Sequence, residues 1–453
     1  MRMDPKGRSS VIGRLLAWLV CSASLCAWSQ VPSNARMSWL ENEVIKVGVD
    51  LSRGGAIVYL GEVGGANLVN NFDLGRQVQL SYFSGPVPYG VEGKSPAPHW
   101  AHIGWNPIQA GDDFGHGSKV LAHENDGRML HVSCRPLQWP LDNVPGECVM
   151  DSWLELEGRV VRARARLTNA RSDRTQWPAR LQELPAVYAN AGLHRVLSYQ
   201  GSRPFTGGQV LPAPAPGGKH PWSFWFGTEG WAALVDESDR GLGLVTPGRV
   251  YFTGGFAGRP GKNDTFSDST GYLAGQGQEI LDPDIVHEFR YELVVGGLEE
   301  IRGRAAKHRR VAPPEWVFDA GRQGWFYQNM EDQGWPVKGG LKLKLEADDP
   351  QMIGPHVFWE AEKAPRLVVE AAFKTSHRQA MIYWQRLGEA APGKDDHIVL
   401  PIEGDGVKRS YELRLADCPA YQGAMIRLRF DPVPRGEPGD WAEIKSIRLA
   451  ADP

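Results

Sequence analysis

The chain has 453 residues, a length that predicts two or three domains, because single cores stop growing beyond about 250–300 residues. Hydrophobic residues make up 42% and charged residues 23%, too apolar for a disordered chain, while 53 Gly, 33 Pro and 17 Trp exclude a long-helix or coiled-coil protein. Fifty basic against 53 acidic side chains give a formal charge of −3, and no basic stripe of the kind a nucleic-acid binder carries is present.

At the N-terminus Arg2, Lys6, Arg8 and Arg14 precede the apolar run Leu15–Val20, and Ala27-Trp28-Ser29 places small residues before Gln30. This is the layout of a secretory signal peptide over residues 1–29, with an apolar core too short to span a bilayer. Neither Cys21 nor Cys26 follows small residues, so a released protein, secreted or periplasmic, is expected rather than a lipoprotein. Its removal takes away four positive charges and Asp4, leaving a net charge of about −6. No later run approaches 18 apolar residues, so no membrane partner is expected after that cleavage.

From about residue 36 the pattern is short strands separated by turn residues: Val44–Val49, Val78–Phe83 and Val160–Leu167 are examples. The last alternates apolar residues with Arg after Val161, as a strand with one dry and one wet face does. The stretch 98–117 packs three His, two Asp and two Trp among Gly and Pro, and reads as a loop. Its His and Asp spacing matches no compact metal motif. Asp112, Asp113 and His116 could instead supply acid and base groups beside the Trp105 face, with His102 as a sugar-binding group, or the loop could simply satisfy its own polar atoms.

Cys134 and Cys148 are a candidate disulfide closing a short loop in an exported protein, worth about 3 kcal/mol, and Cys418 reads as a buried thiol. In Arg180–Asn190, Glu183 stands between a strand and a proline among apolar neighbours, a setting that raises a carboxyl pKa and suits a general acid. A salt bridge to Arg180 is the competing expectation; Gln182 is a binding candidate, and Tyr188 could carry a proton or pack. Trp222, Phe224, Trp225, Phe226 and Trp231 form either core or, where exposed, a stacking platform. Trp231–Val235 and Gly241–Val245 flank a polar turn and read as a hairpin. Residues 287–296 form a further strand, and 298–310 is the one helical stretch. The run Lys307–Arg310 reads as a solvated basic turn, and Ala312-Pro313-Pro314 as a linker. A second strand series follows at 341–347, 366–373, 380–385, 409–415, 424–430 and 442–449.

The expected fold class is all-β: a large antiparallel supersandwich over 30–311, then a smaller jelly-roll-like sandwich over 315–453. Ser52–Ile57, with its Gly-Gly turn, Asn67–Arg76 and the 231–243 hairpin make the first part similar to the galactose mutarotase-like β-supersandwich of carbohydrate-active proteins. That resemblance implies a sugar on the concave sheet face. The His-Pro-Tyr-Phe segment of the aldose epimerases is absent, which argues against a simple mutarotase. The second part resembles a carbohydrate-binding sandwich, with Trp325, Trp335, Trp359 and Trp384 turned to sugar or to core.

No serine-hydrolase elbow, Walker sequence or dinucleotide fingerprint occurs. The expected function is glycoside hydrolysis of an extracellular polysaccharide or oligosaccharide. Glu183 would be the acid, Asp112 or Asp113 the second carboxylate, and Trp105, Trp222 and Trp225 the sugar-stacking surfaces. A lyase acting on an acidic glycan would use Tyr188 or His116 as base, with Arg76 or Arg180 on the sugar carboxylate. Glycan binding without catalysis is the third reading, and an aldose epimerase the fourth. No cofactor is called for; a structural calcium would need Asp or Glu oxygens, but no calcium-loop motif is present. Oligomeric state is left open.

Overall fold

A computed structural model describes residues 31–218, 221–261 and 264–452. The expected signal peptide lies outside the described residues. The regular structure of the described residues is antiparallel β apart from two short 3₁₀ turns and the helix Leu298–Ala306, so the all-β expectation holds.

The first part is two large sheets packed face to face. One has ten strands along the order Met37–Glu41, Ile45–Asp50, Ala56–Glu62, Val78–Ser81, Arg180–Asn190, Thr270–Glu279, Tyr251–Ala257 and Trp222–Phe226, with Pro107–Ile108 and Leu137–Gln138 paired at its side. The other runs Leu211–Pro212, Arg195–Ser198, Trp231–Val235, Arg240–Val245, Val286–Gly297, Val160–Asn169, Cys148–Glu157, Met129–Arg135 and Lys119–Asn125. Their inner faces alternate into one core that includes Val47, Leu80, Val187, Phe252, Leu273, Leu244 and Leu293. The Gly54-Gly55 turn is required by close approach as well as by its positive φ angles: a Cβ on Gly54 would fall 2.0 Å from the Gln109 carbonyl oxygen.

The helix is shorter than the expected 298–310. Glu300 caps it by accepting the Gly297 N–H at 2.7 Å, and at its far end three successive i+3 bonds, ending with Arg309 N–H to the Ala306 carbonyl, tighten the chain out of helix. Arg304 anchors it to the nine-stranded sheet through Glu157 and Glu292.

The second part is a pair of six-stranded sheets, built around Trp441–Ala450 and Ala424–Asp431 respectively. Glu315–Val317 already pairs with Trp441–Ala450, so the chain enters this sandwich directly after the prolines. Trp325, Trp359 and Trp384 are core here, whereas Trp335 is half-buried. Between the two parts, Arg322 binds Asp282 at 2.5 Å and Asp332 at 2.7 Å, and Gln176 Nε2 donates to both carboxylates.

The expected disulfide is not formed: Cys134 and Cys148 are free, buried thiols, and Cys418 is half-buried rather than buried. Cys134 stands opposite Met150 on the neighbouring strand, so Cys148 is its diagonal neighbour. Diagonal positions lie about 7–8 Å apart, beyond the Cα separation of about 4.4–6.8 Å that a disulfide spans. Burial pushes both thiols up, which keeps them protonated and inert. Reductant is therefore expected to leave the melting temperature unchanged; a reductant-dependent fall would reveal a bond between them.

Candidate functional site

The outer face of the ten-stranded sheet, turned away from the inter-sheet core, gathers the chemistry. Strand Arg180–Asn190 crosses it beside Val78–Ser81 and Thr270–Glu279, and its register slips between Glu183 and Ala186. Glu183 and Tyr188 are five residues apart, a spacing that regular alternation would send to opposite faces. The bulge at Leu184-Pro185 re-aims the strand, and Pro185, unable to donate to the ladder, sits where a bulge tolerates it.

The register then builds three rows. Ser81, Glu183 and Gln276 stand side by side. One step along come Gln79, Ala186, Ala274, Thr253 and Phe224, small at the centre. The third row is Tyr188, Tyr272, Gly255 and Trp222. Tyr272 packs with Ala186 and Ala274, crossing the small middle row so that its hydroxyl donates to Glu183 Oε1. Tyr188 flanks its ring at 4.7 Å between centroids and Trp222 at 4.8 Å. Gly255 lets the Trp222 strand come this near: a Cβ there would lie 2.2 Å from the Pro221 carbonyl oxygen and 3.2 Å from the Trp222 ring.

Glu183 is half-buried, and among the described residues no cation pairs with it; Arg180, the expected partner, instead donates to the carbonyls of Ile103 and His102. Burial raises the Glu183 pKa, and the hydrogen bonds from Tyr272 and Ser81 only partly oppose that. Burial, then the charge of Glu183, pushes Tyr188 and Tyr272 well above the ordinary phenol value. The site thus holds three groups biased toward their protonated, neutral forms. At its edge Arg76 pairs with Asp73 at 3.2 Å and donates to the Asp268 carbonyl, and burial raises the Asp73 pKa.

Several residues expected at the site have other work. Trp105 is fully buried in the core beneath the Arg171 guanidinium, and Trp225 is core stacked on Phe252, so neither offers a face to sugar. Gln182 is buried, its amide clipping Phe83 N–H and carbonyl and the Arg180 carbonyl. Asp112 is buried and spent within its own loop and on the neighbouring one, accepting the N–H groups of Phe114, His116 and Asn143 and facing His116 Nδ1 at 3.0 Å. Asp113 is exposed and holds the Trp100 indole N–H at 2.7 Å. Asp112, His116 and Asp142 bring three candidate metal-ligand atoms within 4.8 Å, but the Asp112 oxygens already carry those loop bonds. His102 is exposed and contributes its carbonyl to Arg180.

The sequence therefore named Glu183, Tyr188 and Trp222 of this cluster and missed Ser81, Tyr272 and Gln276. The available signal was Thr270–Glu279, where Tyr272, Ala274 and Gln276 alternate with Gly271, Leu273 and Gly275.

No protein-family model and no curated protein matches the chain. Solved structures to which it is similar include a galactose mutarotase-like protein from Lactobacillus casei ATCC 334, at 14% identity over 57% of this chain and 99% of that one, TM-score 0.38. Another is a galactose mutarotase related enzyme from Lactobacillus acidophilus, at 9% identity over 57% and 97%, TM-score 0.36. A third is the 4-alpha-glucanotransferase from Thermococcus litoralis, at 10% identity over 58% and 38%, TM-score 0.32.

Proposed function

We propose that the outer face of the ten-stranded sheet binds a sugar chain and that Glu183 is the general acid of its cleavage, in the manner of a glycoside hydrolase. The observation that carries this reading is a half-buried carboxyl with no cationic partner among the described residues, raised in pKa and set at the edge of three aromatic rings. Tyr272 is buried between its neighbours, so the half-buried Tyr188 and Trp222 are the rings that would meet the apolar faces of sugar rings, and a protonated carboxyl suits a leaving glycosidic oxygen. The N-terminal targeting layout supports a polysaccharide met outside the cytoplasm as substrate.

The lyase reading is weaker, because burial holds both phenols well above their ordinary pKa and so keeps from them the phenolate form that would remove a proton. Glycan binding without catalysis has one observation in its favour: both carboxylates expected to join Glu183, Asp112 and Asp113, are engaged in the 98–117 loop. Incubation with a panel of polysaccharides, reading reducing ends and the absorbance of unsaturated products, separates these readings. New reducing ends without unsaturation support hydrolysis. Retention of a polymer with no product of either kind would leave binding alone.

The stacking surface makes its own prediction. Trp222→Ala is expected to weaken glycan binding by about tenfold, or about 1.4 kcal/mol, with the fold retained because Trp222 is only half-buried. Titration calorimetry with a retained oligosaccharide checks this, and unchanged affinity would remove Trp222 from the surface.

A further inference from the structure

A cavity of about 460 Å³ lies between the two sandwiches, within the range of about 300–1,000 Å³ usual for small-ligand sites. It starts at the site just described: Gln276, the register partner of Glu183, is part of its wall, as is Tyr251 on the next strand. From the first sandwich Arg249 and, at the exposed mouth, Arg310 face it; from the second, Arg427 and His356 do. Tyr251, His356 and Arg427 also wall a second cavity of about 670 Å³, so the two meet at Arg427.

Arg427 is the unusual member. Its guanidinium lies 5.6 Å over the Phe326 ring, and its Nη2 meets His356 Nδ1 at 3.3 Å. Among the described residues no carboxylate pairs with it, and its buried Nε has no acceptor. Burial lowers its pKa to about 10, which leaves it charged, while burial and the Arg427 charge lower His356 to about 2, which leaves it neutral. An enclosed guanidinium without an anion is costly, and its planar fork matches a carboxylate or sulfate. The acidic groups around the first cavity do not serve it. Glu279 faces His287 Nε2 at 3.5 Å, and Glu288 and Glu315 are exposed.

We propose that the inter-domain cleft binds the anionic group of an acidic glycan, a carboxylate or a sulfate ester, with Arg427 as its principal contact and Arg249 and Arg310 lining the approach. This rests on the sugar-binding reading of the adjoining face and names its substrate class.

Affinity electrophoresis of the full chain in gels containing single polymers tests it. Polygalacturonate presents carboxylates alone, lambda-carrageenan sulfates alone, and fully methyl-esterified polygalacturonate neither. The wild type is expected to be retarded more strongly by at least one charged polymer than by the ester, and the polymer that acts identifies the group. Arg427→Gln is expected to weaken that retention at least tenfold, and Arg427→Lys, which keeps the charge without the fork, by less. Arg310→Gln, at the exposed mouth, is expected to weaken it severalfold, so the test survives should the Arg427 variants unfold. Equal retention by the ester, no retention by either charged polymer, or unchanged retention of a folded Arg427→Gln overturns the proposal. The Glu183 reading is judged separately: loss of acidic-polymer retention in Arg427→Gln with turnover unaffected by Glu183→Gln would leave the anion site standing without that catalyst.

Discussion

Glu183→Gln is expected to slow glycan cleavage by about 10²–10⁴-fold, about 3–5 kcal/mol of barrier, while leaving oligosaccharide affinity near the wild-type value. The amide keeps the shape and can still accept the Tyr272 hydroxyl, but it has no proton to give. The pH profile follows from the direction of the shift. Because burial raises the Glu183 pKa, the acid form persists above pH 4.5, and activity should fall as pH rises through the shifted value. Stability carries the same sign. Between 4.5 and the folded pKa the native state binds more protons than the unfolded chain, so wild-type stability declines with rising pH across that window. The Gln variant does not titrate there and should be no less stable than wild type at neutral pH. Lost turnover in a protein that still melts normally would thus report chemistry. A variant with wild-type reducing-end release removes Glu183 from the mechanism.

The second large effect is expected on stability. Arg322→Met should destabilise the protein by about 3–5 kcal/mol, read by denaturant unfolding. Arg322, Asp282 and Asp332 are nearly inaccessible, with side-chain exposures of 5%, 2% and 2%. The guanidinium takes Asp332 in a two-point grip at 2.7 Å, with Tyr327 and Gly334 donating to the same carboxylate. Burial pushes the Asp332 pKa up, yet the Arg322 bonds and charge outweigh it and hold the group below its ordinary value. Removing the cation leaves two buried carboxylates with only Gln176, Tyr327 and backbone donors. Because Asp282 and Gln176 belong to the first sandwich and Arg322 to the second, the loss should also separate their unfolding into two transitions. A single transition at the wild-type midpoint would show that this network does not join them.

Much of this protein was legible in one dimension. Its Gly, Pro and Trp excess, the period-2 alternation of Val160–Leu167 and the closing strand near 442–449 determine an all-β chain, because alternation reports a strand wherever one face is dry. Glu183 was also legible as a candidate, an acidic residue two positions before a proline with apolar neighbours. Trp222 and Trp225 show the limit. Three residues apart on one strand, they must face opposite ways, but which way is core depends on the other sheet. Packing buried Trp225 against Phe252 and left Trp222 beside Tyr272. The 98–117 loop misled for a related reason: its Asp and Trp residues look chemical until the loop closes and Asp112 and Trp105 are consumed by its own backbone and the core. Tertiary structure alone brought Tyr272 to Glu183 across 89 positions of chain, and alone turned Glu183 and Tyr188 to the same face through one bulge. Local sequence determines that a residue lies on a strand; the partner sheet, the register and the bulge decide what it meets there.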